Sequence, residues 1–83
     1  MNADQEDKSI VCQVVSDILD VDEVADDATP STVVGWDSIG HLLIVSALEV
    51  SLDVTFSPDD MVEMIGGVDA ILAVVARKRA DGR

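Results

Sequence analysis

Eighty-three residues fit one domain, too small for a deep catalytic pocket, and a composition that is 48% hydrophobic but only 2% aromatic calls for a core of Val, Ile, Leu, Met and Ala. Seventeen acidic against five basic residues give a net charge of -12, with no Lys or Arg between Lys8 and Arg77; such a surface repels nucleic acid and anionic membranes and steers in partners with basic patches. Cys12 is the single cysteine, so an internal disulfide is excluded, and no apolar run approaches the roughly 18–20 residues of a membrane span; with no basic and apolar leader in Met1-Asn2-Ala3-Asp4-Gln5, the expected location is the reducing cytoplasm.

Ile10, Val11, Val14, Val15, Ile18 and Leu19 recur along one stripe of an amphipathic helix, which predicts a first helix over residues 5–19. Glu6 and Asp7 fall in its first turn, where the macrodipole favours negative charge. Cys12 lies at the edge of the stripe and reads as a small hydrophobe. The segment that follows, residues 20–35, holds Asp20, Asp22, Glu23, Asp26 and Asp27, but its spacing does not make a calcium loop. Counted from Asp20, the fifth position is Val24, the sixth is Ala25 where a Gly is needed, and the twelfth is Ser31 where a Glu is needed. The segment reads instead as a long ordered connection anchored by Val24, Val33 and Val34.

A second helix is predicted over residues 38–51, with Ile39, Leu42, Val45 and Leu48 inward, Ala47 and Leu52 widening that face, and Leu43, Ile44 and Val50 outside it. Ser57-Pro58-Asp59-Asp60 is a helix start, with Ser as N-cap, Pro at the first helical position and acids in the first turn, so a short third helix covers residues 58–64. Met61 and Met64 are its core contacts. Gly66-Gly67 breaks the chain, and Val68, Ile71, Leu72, Val74 and Val75 face the core from a last helix. Arg77, Lys78 and Arg79 complement its C-terminal dipole, and residues 80–83 form a frayed tail. The structured core therefore spans about residues 5–79 of one domain, 1–83.

The chemistry-bearing stretch is Gly35-Trp36-Asp37-Ser38-Ile39-Gly40-His41-Leu42, which holds the only Trp and the only His. Asp37 is a good N-cap for the second helix, because its carboxylate accepts from first-turn N–H groups that lack an intrahelical partner. The Ser38 hydroxyl then stands at the solvent-facing start of that helix. Trp36 precedes the cap, where an apolar side chain staples onto the residue five positions later, here His41. Two plainer readings stand beside these: Ser38 as a mere cap, and His41 as an ordinary exposed helix position. A third makes Ser38 and His41, three apart on one face, a nucleophile–base pair. Against it, Gly-x-x-Ser-x-Gly is not the Gly-x-Ser-x-Gly elbow, and so short a chain offers little from which to build an oxyanion hole.

In its order of elements, and in Gly35, Asp37-Ser38-Ile39, Ala47-Leu48-Glu49 and Leu52-Asp53-Val54, the chain resembles the acyl carrier protein family over about residues 9–75. The resemblance implies an all-α four-helix bundle with a long first loop and a short third helix. It implies a carrier, not an enzyme, on which Ser38 is esterified with 4'-phosphopantetheine from coenzyme A. Asp37 and Ile39, the latter standing where the family has Leu, complete the recognition motif. Implied partners are a phosphopantetheinyl transferase and the enzymes that load and consume the cargo, met by a monomer through Trp36, His41, Leu43, Glu49 and Val50. Leu43 and Val50 occupy positions where the family commonly carries acids, which favours a more apolar, dedicated interface. Gly35-Trp36-Asp37-Ser38 followed by Gly40-His41-Leu42 looks most like discrete carriers of specialised pathways, polyketide or hybrid, with fatty-acid-like cargo also compatible. An aminoacyl or peptidyl carrier, or an unmodified acidic adaptor, are the alternatives the residues leave open.

Overall fold

The computed structural model describes residues 3–81, which form four α-helices and no strand: α1 (Ala3–Leu19), α2 (Ser38–Leu52), α3 (Pro58–Met64) and α4 (Val68–Asp81). The all-α bundle with a long first connection and a short third helix is as expected. No described helix is long and apolar enough to cross a membrane. The helix α1 begins two residues before the predicted Gln5. At the other end α4 continues through Ala80 and Asp81, which the sequence reading assigned to a tail. Arg79 accounts for the extension, because it reaches across to the buried Asp7 of α1 at 3.1 Å and ties the last turn of α4 to the first helix. Gly82 and Arg83, the rest of the expected tail, lie outside the described residues.

The core is formed by Val11 and Val15 from α1, Ile44, Val45, Leu48 and Leu52 from α2, Met64 from α3, and Val68, Ile71, Val74 and Val75 from α4. Each fully buried aliphatic side chain contributes about 1.5–3 kcal/mol relative to exposure. Cys12 is half-buried, and burial, then Asp26, pushes its thiol up, in keeping with a small hydrophobe. The inward face of α2 is the predicted one only in part, with Val45, Leu48 and Leu52 buried as expected. Ile39 and Leu42 are exposed and Ile44 is fully buried, since the core side runs through His41, Ile44, Val45, Leu48 and Leu52. Those five keep to i, i+3, i+4, i+7 and i+11, one stripe of a 3.6-residue helix, whereas a run spaced only by threes drifts around the axis.

The connection across residues 20–37 is pinned at its middle by Ala28. Its carbonyl accepts from Val68 N–H at 2.9 Å, so the loop satisfies an otherwise unpartnered first-turn donor of α4. Gly67, at φ +115°, makes this approach possible: a Cβ there would stand 2.4 Å from the same carbonyl oxygen. Val24 is buried and Val33 packs on the core as expected, but Val34, expected as a third anchor, is 90% exposed. The buried loop residues are Val24, Ala28 and Trp36.

Ser57 caps α3 in a full capping box with Asp60, its side chain accepting from Asp60 N–H while the Asp60 carboxylate accepts from Ser57 N–H. Asp60 does more than cap. Its carboxylate also receives Lys78 at 2.6 Å and Arg77 at 3.0 Å, and Arg77 reaches Glu63 at 3.1 Å. The basic cluster of α4 therefore locks α3 in place in addition to facing the helix dipole.

Two outcomes follow. Gly67→Ala introduces both a positive-φ side chain and a clash with Ala28, and lowers stability by at least about 1–3 kcal/mol, read from the urea midpoint. The Lys78 ammonium and then the Ser57 backbone N–H hold the Asp60 carboxyl well below the usual carboxylate range. A depressed folded-state value stabilises the protein above the ordinary Asp value of about 4 and is lost as the pH falls below it. Stability of the wild type thus declines from about pH 4 downward, whereas Asp60→Asn, weaker at neutral pH, shows a flatter acid limb in pH-dependent urea melts.

Candidate functional site

Asp37 adopts an extended backbone as N-cap of α2, and its Oδ1 accepts from Gly40 N–H at 2.8 Å while its carbonyl takes His41 N–H at 2.8 Å. Asp37 N–H in turn donates to Gly35 O at 2.9 Å, across the tight turn that Gly35 makes at φ +93°. The turn lies directly on the helix. A Cβ on Gly40 would meet Gly35 O at 2.8 Å and Leu19 Cδ2 at 3.0 Å, so a glycine is needed where loop and helix touch. Ser38 follows this junction as the first residue of α2, and it is exposed.

Behind Ser38 lies a buried polar pair. Trp36 Nε1 donates to His41 Nδ1 at 3.0 Å, and the two rings stack with centroids 6.3 Å apart. The expected staple is therefore present, with a hydrogen bond added. The other ring nitrogen, His41 Nε2, is 3.0 Å from the carbonyl oxygen of Met61 on α3. A cavity of about 530 Å³ opens beside this pair between the loop, α2 and α3, and Trp36, Ser38, His41, Leu42, Met61 and Ile65 are among its lining residues.

These positions revise several expectations. His41 is not an exposed helix residue: it is 6% exposed, and Trp36 is 4% exposed, so both form the inner wall of the cavity instead of an outward docking surface. With both ring nitrogens engaged elsewhere, His41 has none left to serve as base for Ser38. Glu49 is half-buried, and its Oε2 accepts from Phe56 N–H at 2.9 Å, which commits it to holding the α2–α3 connection. Leu43 and Val50 are exposed as expected, Val50 at 84%, and Ile39 beside Ser38 is 71% exposed. Leu42 joins them, together with Val62 of α3 and Ile65, which caps that helix at its C-terminal end. Sequence reasoning missed those two; their signal was the i, i+3 spacing of Val62 and Ile65, one position out of phase with the core pair Met61 and Met64.

The site thus combines a rigidly capped, exposed hydroxyl, an apolar cavity at its side, and an uncharged apolar helix face. Among the described residues, no side chain is hydrogen-bonded to the Ser38 hydroxyl. A family model described as a phosphopantetheine attachment site matches residues 9–75, most of the chain. No curated protein and no solved structure matches it.

The cap carries a direct expectation. Asp37→Ala leaves the Gly40 N–H without its acceptor and costs about 0.5–2 kcal/mol, seen as a lower thermal midpoint with helix content retained at low temperature.

Proposed function

The chain belongs to the phosphopantetheine attachment-site family, whose members are carriers and not enzymes, and we propose that Ser38 is the residue that bears its arm. The protein carries covalently attached 4'-phosphopantetheine and interacts with a phosphopantetheinyl transferase and with biosynthetic enzymes. The observation that supports Ser38 is its exposed hydroxyl at the capped start of α2, inside the matched span. A carrier serine needs no built-in base, because the transferase activates it. It needs an approachable hydroxyl on a defined backbone, and the first-turn N–H groups and helix dipole at that place favour a phosphodiester anion.

The residues fit the group. Asp37 turns its carboxylate into the cap, leaving the approach to Ser38 open, and Ile39 presents an exposed apolar contact on its far side. When attached, the arm supplies a terminal thiol that holds a carboxylic cargo as a thioester. The protein acts as one carrier domain for acyl intermediates of polyketide, fatty-acid-like or hybrid biosynthesis; the apolar cavity beside Ser38 and the apolar core support acyl cargo. Partner enzymes meet α2 through Ile39, Leu42, Leu43 and Val50. That face bears no Lys or Arg, and its one acid, Glu49, is bonded to the backbone, so docking there depends on apolar contact more than on charge.

Intact-protein mass spectrometry after incubation with coenzyme A, magnesium and a broad-specificity phosphopantetheinyl transferase tests the assignment. The wild type gains one phosphopantetheine, and Ser38→Ala gains none while keeping its helical circular dichroism, since Asp37 still caps α2. Equal gain in both proteins moves the attachment elsewhere, and no gain in either favours an unmodified adaptor.

A further inference from the structure

The bond chain Trp36–His41–Met61 has no part in the reading above, yet it forms the wall of the cavity beside Ser38. An indole Nε1 only donates, and a backbone carbonyl only accepts. The Nδ1 of His41 therefore holds the lone pair facing Trp36, and Nε2 holds the proton facing Met61. A single neutral tautomer satisfies both ends. Packing alone does not explain an imidazole here, since an apolar side chain of similar size fills a buried position without needing two polar partners.

The two ends of the chain tie down different elements. On one side, Trp36 is the residue before the cap Asp37 and two before Ser38. On the other, the bond to Met61 is the only hydrogen bond between α2 and α3 among the described residues; α3 is otherwise held by the burial of Met64 and by Arg77 and Lys78 of α4. One imidazole thus joins the end of the loop, the first turn of α2 and the far wall of the cavity.

We propose that His41 is a positioning residue for the modification of Ser38. The Trp36–His41–Met61 chain is a latch that fixes the loop end carrying Asp37 and Ser38, and holds α3 across the cavity, so that a transferase meets the hydroxyl in one geometry. This role rests on Ser38 being the attachment residue. With the latch broken, the Trp36 N–H is left buried without an acceptor and the loop end is free to leave its seat, so binding of the carrier by the transferase weakens while transfer within the complex is little changed.

The test compares wild type with His41→Phe, His41→Asn, Trp36→Phe and the double variant Trp36→Phe/His41→Phe. It measures the Trp36 indole N–H resonance, the thermal midpoint, and the transferase kinetics with the carrier as varied substrate. Phe keeps the bulk at position 41 but neither accepts nor donates. It shifts the indole resonance away from its hydrogen-bonded position and raises KM roughly fivefold, with kcat nearly unchanged. Asn offers an amide oxygen near the place of Nδ1 and restores both the indole resonance and KM. Trp36→Phe raises KM as His41→Phe does, and the double variant adds no further loss. A wild-type KM in His41→Phe with the indole bond lost overturns the role, as does a KM that tracks the thermal midpoint through all variants, Asn included. A wild type that is loaded at another residue, or never loaded, overturns the attachment assignment and this role with it; a Ser38-loaded wild type with an indifferent His41 overturns the role alone.

Discussion

The hydrogen bond from Trp36 Nε1 to His41 Nδ1 joins the last stretch of an eighteen-residue connection, residues 20–37, to the helix that it feeds. Without such a closure the connection would be held by Val24, Ala28, Val33 and the Lys8–Asp26 pair, all upstream of the helix start. Buried in a low-dielectric setting, the pair is strong when satisfied and costly when broken, so it selects one arrangement of the junction over many. The Asp37 cap, the glycine turn at Gly35 and the close contact at Gly40 then set the helix start, and the exposed hydroxyl of Ser38 follows from that setting. With Ser38 proposed as the attachment residue, the chain's part is presentation: it supplies a fixed, accessible hydroxyl, and the chemistry belongs to the arm and to the enzymes that visit it.

The charges are divided to suit that task. Of the five basic residues, Lys8 pairs with Asp26, Arg77 and Lys78 with Asp60, and Arg79 with Asp7. These pairs bind loop to α1, α3 to α4 and α1 to α4, so four of the five cations are engaged in tying elements together, and none of the four lies on α2. The helix that begins at Ser38 keeps an uncharged outer face, while the uncompensated acids of the chain lie on the loop and at the helix ends. On the proposed docking at α2, long-range attraction to a basic partner and short-range apolar contact are thereby separated in space, the first governing encounter and the second the bound state.

How much of this was legible in the sequence depended on the range of the interactions. The start and end of α3 were readable because Ser57, Pro58 and Asp60 act on their own backbone within three residues. The start of α2 was readable for the same reason, through Asp37. The inward face of α2 was legible only in part, at Val45, Leu48 and Leu52, since Ile39, Leu42, Leu43, Ile44 and Val45 make the helix apolar on most sides and only packing against α1 and the rest of the core chooses among them. His41 was misplaced because its burial depends on Met61, twenty residues away, and Asp60 was read as a cap alone because Arg77 and Lys78 lie on another helix. Val34 was taken for an anchor on hydrophobicity, whereas the loop is held by a backbone bond from small Ala28, which leaves no hydrophobic signal. The family resemblance rested on the order of elements together with the motifs at the junction and along α2, and the family match over residues 9–75 agrees with it.

Presentation of Ser38 by the chain itself requires that the junction around it be rigid before any partner arrives. Residue-resolved amide hydrogen exchange across positions 35–41 of the unmodified protein tests that most directly. The Gly40 and His41 amides, bonded to the Asp37 side chain and carbonyl, are expected to exchange as slowly as the interior of α2, while the amides of Ser38 and Ile39 exchange rapidly beside them. Uniformly rapid exchange from Gly35 to His41 would contradict it, since Ser38 would then sit on a mobile loop end and its presentation would have to be imposed by the partner.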